Sequence, residues 1–173
     1  MKIVQQDNPV LRERAKEVPL AEITSPAIKK ILAEMSQALV KEDDGVALAA
    51  PQIGKGLRIF IISGKLWQAE DAKEKPADLV FINPKITKLS QTKQKLEEGC
   101  LSVRWLYGLV SRASKATVEA YDENGKKFTR SGSGLVAQIF QHEIDHLDGV
   151  LFIDKAKKVQ RIEPEGMEHG NRI

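Results

Sequence analysis

Two histidines stand four residues apart in the stretch Gln141 to Gly149, QHEIDHLDG, and a glutamate follows the first directly. On a helix of 3.6 residues per turn, positions i and i+4 share a face, so His142 and His146 can both reach one ion. Glu143 can stand over the open coordination position without ligating, where water needs a proton acceptor. The pattern is HExxH, and the chemistry it suits is metal-dependent hydrolysis. The plainer alternative is a solvated helix face. It is disfavoured because the chain has three histidines and two of them take this spacing around a glutamate.

A tetrahedral catalytic ion that keeps one position open needs a third protein ligand. Cys100 offers a thiolate upstream of the helix. Glu163, Glu165 and His169 offer ligands downstream, as in other HExxH hydrolases. Spacing alone leaves the choice open, and a lone cysteine is more often a small buried hydrophobe than a ligand.

The elements that must hold these groups can be outlined from pattern. Asp7-Asn8-Pro9 is a turn, followed by a weakly apolar segment around Leu11, Ala15 and Val18. Ser25-Pro26 opens a helix whose Ile28, Ile31, Leu32, Met35, Ala38 and Leu39 form one core stripe, ending in Lys41 to Gly45. Leu57 to Ile62 is a buried strand, Lys65 to Asp78 a polar surface loop with Trp67 packing it down, and Leu79 to Asn83 another strand. The stretch from Ile86 to Leu96 reads as one extended, partly exposed strand. Ala116, Val118 and Ala120 alternate with polar neighbours, Asp122 to Gly125 makes a hairpin turn, and Phe128 returns. Ser131 and Ser133 are placed to cap the histidine helix, which Leu135, Val136, Ile139, Phe140 and Ile144 bury. The polar stretch from Asp154 should be frayed. Pattern alone thus gives one domain with an N-terminal helix, a middle of antiparallel β, the histidine helix and a polar tail over 156–173.

Composition narrows the class further. At 173 residues the chain can bury a core without staples, and 27 Lys+Arg against 24 Asp+Glu leave a formal charge of +3. That mild excess predicts no specific nucleic-acid binding. The basic KAKKVQR segment reads as solvated, and is the candidate for any transient ribosome contact. One cysteine excludes an intrachain disulfide framework and fits a reducing compartment. With no run of eighteen apolar residues and no signal-peptide core at the N-terminus, a cytoplasmic protein without membrane contact is expected.

Three segments, GVALAAPQ, EGCLS and QHEIDHLDG, in this order and with these gaps, resemble the three motifs of the peptide deformylase family. The similarity extends to DNPVLRERAKEV, to RASKATVEAYDENGKK and to LFID. It therefore covers nearly the whole chain, and three motifs together are far more specific than one. The resemblance implies an α+β fold, with antiparallel β-sheets around a central metal-binding helix and an N-terminal helix, as one catalytic domain over 1–155. It implies a hydrolase that removes the N-formyl group from the initiating methionine of formyl-methionyl nascent peptides, releasing formate. It makes Cys100, His142 and His146 the metal ligands and Glu143 the general acid/base for attack by metal-bound water. The Gln52 side chain and the Leu101 backbone N–H become the oxyanion donors. It points to Val46, Leu96, Leu135 and Ile139 as the methionine pocket, and to Val46, Ala47 and Gly99 as the edges along which the peptide extends. It favours Fe²⁺ as the native ion, with Zn²⁺ or Ni²⁺ able to substitute.

Three departures from the family pattern concern substrate and not metal. Ala47 stands where a second glycine is usual, and a left-handed backbone there would cost its methyl group about 1 kcal/mol. Val103 leads into Arg104-Trp105 where a proline is common, and Tyr107 falls near the usual place of a basic residue. The rival functions are a zinc peptidase with its third ligand after the helix, and a silent peptide-binding protein with a structural metal. The intact Glu143 argues against the silent protein, since a closed structural site has no use for a base there.

Overall fold

The computed structural model describes residues 2–67 and 76–163. Helix α1 (Pro26–Leu39) begins where its capping chemistry requires: the Ser25 hydroxyl accepts the Ile28 N–H at 3.3 Å, and Pro26 sits at the first helical position. Its buried face is Ile28, Leu32, Met35, Ala38 and Leu39. The strands follow as β1 (Ala47–Ala49), β2 (Ile59–Ile62), β3 (Leu79–Leu89), β4 (Lys93–Gly99), β5 (Leu106–Ala113), β6 (Lys115–Tyr121) and β7 (Lys127–Ser133). Helix α2 (Leu135–Leu147) and strand β8 (Lys157–Arg161) complete the order.

All strand pairings are antiparallel, in a five-stranded sheet ordered β1-β2-β3-β6-β7 and a three-stranded sheet ordered β4-β5-β8. The α+β architecture is therefore as expected. β2 explains why its sequence is a continuous apolar run, since both its faces are covered. Ile59 and Ile61 pack with α1, while Phe60 and Ile62 pack with Phe140, Ile144 and Leu147 of α2. Phe60 and Phe81 stack at 4.4 Å, and Phe140 meets Phe81 edge-on at 5.4 Å. Each such fully buried side chain contributes roughly 1.5–3 kcal/mol, which makes this wall of α2 the structural anchor.

Polar contacts fix the middle and the C-terminal end of α2. Gln141 brackets the end of β5, accepting from the Ala113 N–H and donating to the Ala113 carbonyl, both at 3.0 Å. At the C-terminus, buried Arg58 donates to Asp148 at 2.7 Å and to the Leu147 carbonyl at 3.4 Å, a cation placed where the helix dipole is negative.

Several sequence expectations need correction. Ser131 and Ser133 do not cap α2, because both belong to β7; the N-cap is Gly134, with φ +54° and no side-chain cap. Glycine is required here on two counts. Gly134 takes a positive φ, and a Cβ on Gly132 would lie 2.4 Å from Val136, so strand and helix could not approach so closely. Ile86 to Leu96 is not one strand. It divides at Ser90–Thr92, where the backbone of Ser90 and Thr92 pairs with Lys115 and Ser114, and its halves enter different sheets. β5 has no counterpart in the sequence reading. Lys157–Arg161, expected to be frayed, is a strand because the main chain of β5 offers it an edge. Leu135 is 51% exposed and not part of the buried stripe. The body of the expected loop after Trp67 lies outside the described residues, although Trp67 itself packs under the Arg130 guanidinium, 5.3 Å from its ring centre.

Candidate metal centre

Three separate segments meet at the inner face of α2. Cys100 follows immediately on β4, Gln52 lies in the 3-10 turn Ala50–Ile53 after β1, and His142, Glu143 and His146 project from the helix. The ligand atoms of Cys100, His142 and His146 all lie within 4.8 Å of one another. Cys100 Sγ is 3.2 Å from His146 Nε2. One thiolate and two imidazoles suit a tetrahedral divalent ion with its fourth position open, so the donor set fits a metal. Of the downstream alternatives, Glu163 instead accepts a hydrogen bond from Arg161, while Glu165 and His169 lie outside the described residues.

The groups around this trio are oriented from behind. His142 Nδ1 is 2.9 Å from Glu98 Oε2, which leaves its other nitrogen for the Cys100 side. Glu98 in turn receives both prongs of Arg112, at 2.7 and 2.9 Å, and Arg112 continues to Asp145 at 2.6 Å. Burial opposes the charge on Glu98, but the hydrogen bonds from Arg112 and His142 outweigh it and hold its pKa down at about 2. Glu143 has no such partner. Its carboxylate is buried, its Oε2 has no hydrogen bond, and burial pushes its pKa up to about 7. Two carboxylates on opposite sides of His142 thus have opposite environments, one fixed as a charged support and one poised to exchange a proton.

The Gln52 amide is fixed in the same way. Its Oε1 accepts the Ala49 N–H at 2.8 Å, so its Nε2 points at the site, 3.5 Å from Cys100 Sγ and 3.2 Å from Ser102 Oγ. The carbonyl of Leu101 is anchored by the Gln5 side chain at 3.1 Å.

A polypeptide deformylase family model matches residues 1–162. The chain belongs to the polypeptide deformylase family. It is 44% identical over 160 residues to the peptide deformylase of Desulfitobacterium hafniense, covering 92% of this chain and 96% of that one. To the peptide deformylase of Desulforudis audaxviator it is 40% identical over 159 residues, covering 92% and 95%. The crystal structure of the Thermotoga maritima enzyme superposes with a TM-score of 0.78 at 32% identity, covering 90% of this chain and 97% of that one. Family membership carries the activity: the chain is a hydrolase that removes the N-formyl group from nascent peptides, and members of the family are expected to depend on a metal.

A cavity of about 320 Å³ opens in front of the trio. Val46, Ala47, Gly99, Leu101, Leu135 and Ile139 line it, together with Gln52, Cys100, His142 and Glu143. Val46 and Leu135 are 38% and 51% exposed, apolar surface turned toward whatever fills the cavity. Leu96 is half-buried on β4 and is not part of that lining. Ala47 is an ordinary strand residue. Asn83 and Lys158 are the non-glycine residues with positive φ among those described, so the methyl of Ala47 meets no left-handed penalty.

Sequence reasoning did not single out Glu98 or Arg112. Glu98 lies within EGCLS and could have been questioned as an acidic residue next to a ligand. Arg112 gave no signal, because its place beside Glu98 depends on the β4-β5 register that sets Glu98 opposite Gly108. No helix among the described residues is long and apolar enough to cross a membrane.

Proposed function

We propose that Cys100, His142 and His146 hold one divalent ion and that Glu143 is the general acid/base of deformylation. The observation that carries this is the unpartnered, buried carboxylate of Glu143 beside the three ligand atoms. When bound, the ion supplies a Lewis acid that brings the pKa of water toward neutrality. Glu143 accepts the proton of the attacking water and delivers it to the leaving amine, so a single carboxyl serves both half-steps. As charge develops on the formyl oxygen, the Leu101 N–H and the Gln52 Nε2 donate to it; the Ala49 contact keeps that amide facing the right way.

The methionine side chain enters among Val46, Leu135 and Ile139, where an unbranched thioether fills an irregular apolar space well. The peptide then runs between the free edges of β1 and β4, near Ala47 and Gly99, since both are edge strands. The native ion is Fe²⁺, with Zn²⁺ and Ni²⁺ able to take its place, and the protein works in the cytoplasm. Lys157, Lys158 and Arg161 on exposed β8 are the basic surface for transient ribosome contact.

Formate release from formyl-Met-Ala-Ser tests this reading. Glu143→Ala should lower kcat about 10²–10⁴-fold with metal content retained. Cys100→Ala should lose the metal, whereas Glu163→Ala should keep it. The reverse metal pattern, or cleavage inside the peptide without formate, would overturn the assignment. Activity lost in air and protected by Ni²⁺ exchange would identify the iron form.

A further inference from the structure

Arg104 ties together the two chain segments that flank the cavity, and the deformylation steps above leave it without a role. Its Nη1 donates to Asp44 Oδ2 at 2.6 Å, and its Nη2 donates to Asp44 Oδ1 at 3.1 Å and to Glu42 Oε2 at 2.7 Å. The guanidinium lies 4.4 Å from the centre of the Trp105 ring, which limits where it can swing. Glu42 and Asp44 belong to the turn between α1 and β1, and Arg104 belongs to the turn between β4 and β5. Asp44, Arg104 and Trp105 line the same cavity as His142 and Glu143.

β1 and β4 are edge strands of different sheets, and no backbone ladder joins them. Their spacing at this end of the cavity therefore depends on side chains. A peptide lying between two strand edges needs about 4.8 Å on each side to form both sets of main-chain hydrogen bonds. A planar guanidinium that bridges two carboxylates is suited to set such a distance, because its donors have fixed directions that a lysine ammonium lacks. The Arg104 side chain is only 18% exposed while that of Asp44 is 56% exposed, so the guanidinium is the shielded member of the pair. The hydrogen bond from Arg104 also holds the Asp44 carboxyl below its ordinary pKa.

We propose that Arg104 is a positioning residue for the part of the substrate that follows the formyl-methionine: by clasping Asp44 and Glu42 it holds the edges of β1 and β4 at the separation an extended peptide requires. This rests on the reading of Ala47 and Gly99 as peptide-pairing edges. Formyl-methionine itself reaches only the metal and the apolar pocket, so the clasp acts on longer substrates.

The measured quantity is the ratio of kcat/KM for formyl-Met-Ala-Ser to kcat/KM for formyl-methionine amide. Arg104→Ala lowers that ratio about tenfold, the scale on which loss of a charge-assisted bidentate contact misaligns a bound chain. The exchange Asp44→Arg with Arg104→Asp restores most of it. Should Arg104→Ala not fold, Asp44→Asn combined with Glu42→Gln, on the α1–β1 turn, carries the same expectation. A merely structural role lowers both substrates alike and leaves the ratio where it was. That result, or a low ratio that the exchange fails to raise, overturns the clasp. An unsubstituted holoenzyme that releases no formate from either substrate overturns the deformylation reading and the clasp together.

Discussion

The two faces of α2 meet opposite chemistries. Toward the five-stranded sheet, Phe140, Ile144 and Leu147 lie against Phe60, Phe81 and Val118 in one apolar cluster. Toward the three-stranded sheet the contacts run His142, Glu98, Arg112, Asp145 and Lys155, every link a charged or charge-assisted hydrogen bond. The first face stabilises through area, and each residue adds its share nearly independently. The second is coupled at its buried centre, where removing Glu98 or Arg112 leaves a desolvated charge behind. The helix is thus held in place by one side and given its chemistry by the other.

The sharpest way to break this contrast is to remove one large group from each face. Arg112→Ala should destabilise the protein by about 3–5 kcal/mol, because the Glu98 carboxylate is left buried without its counter-charge. Phe81→Ala should cost a similar amount, about 3–5 kcal/mol, through a cavity. Denaturant unfolding reads both, but only Arg112→Ala should also weaken metal binding. The double replacement Glu98→Leu with Arg112→Met should regain much of the lost stability, since the buried charges go together, without regaining metal affinity.

Smaller changes refine the comparison. Glu98→Gln should weaken metal binding about 10–100-fold in a chelator competition, as replacing the support behind a ligating histidine does. Ala47→Gly, which moves the chain toward the usual motif, should destabilise it by about 0.5–1 kcal/mol, because the strand there has no positive φ for glycine to relieve. Lys155→Ala cuts the exposed end of the polar chain. It should change stability by less than about 1 kcal/mol, an effect that added salt removes, because the Lys155 side chain is 45% exposed.

Local features were legible in the sequence. The four-residue spacing of His142 and His146, the Ser25-Pro26 start of α1 and the Asp122–Gly125 turn depend on a few neighbouring residues, and the backbone geometry of one turn settles each of them. β2 was legible because its whole run is apolar. The order of the three motifs was enough to name the family.

What lay beyond the sequence was whatever depends on register or on a distant partner. The break of Ile86–Leu96 into β3 and β4, the existence of β5, and the ordering of Lys157–Arg161 as β8 each follow from main-chain groups elsewhere that needed partners. The same holds at the site. The sequence by itself determined which residue types could bind and activate a metal, because helical spacing is a local property. Only the tertiary structure decided that Glu98 would be charged and Glu143 left without a partner. Burial and counter-charge are properties of what packs around a carboxyl, and Arg112 arrives from another strand.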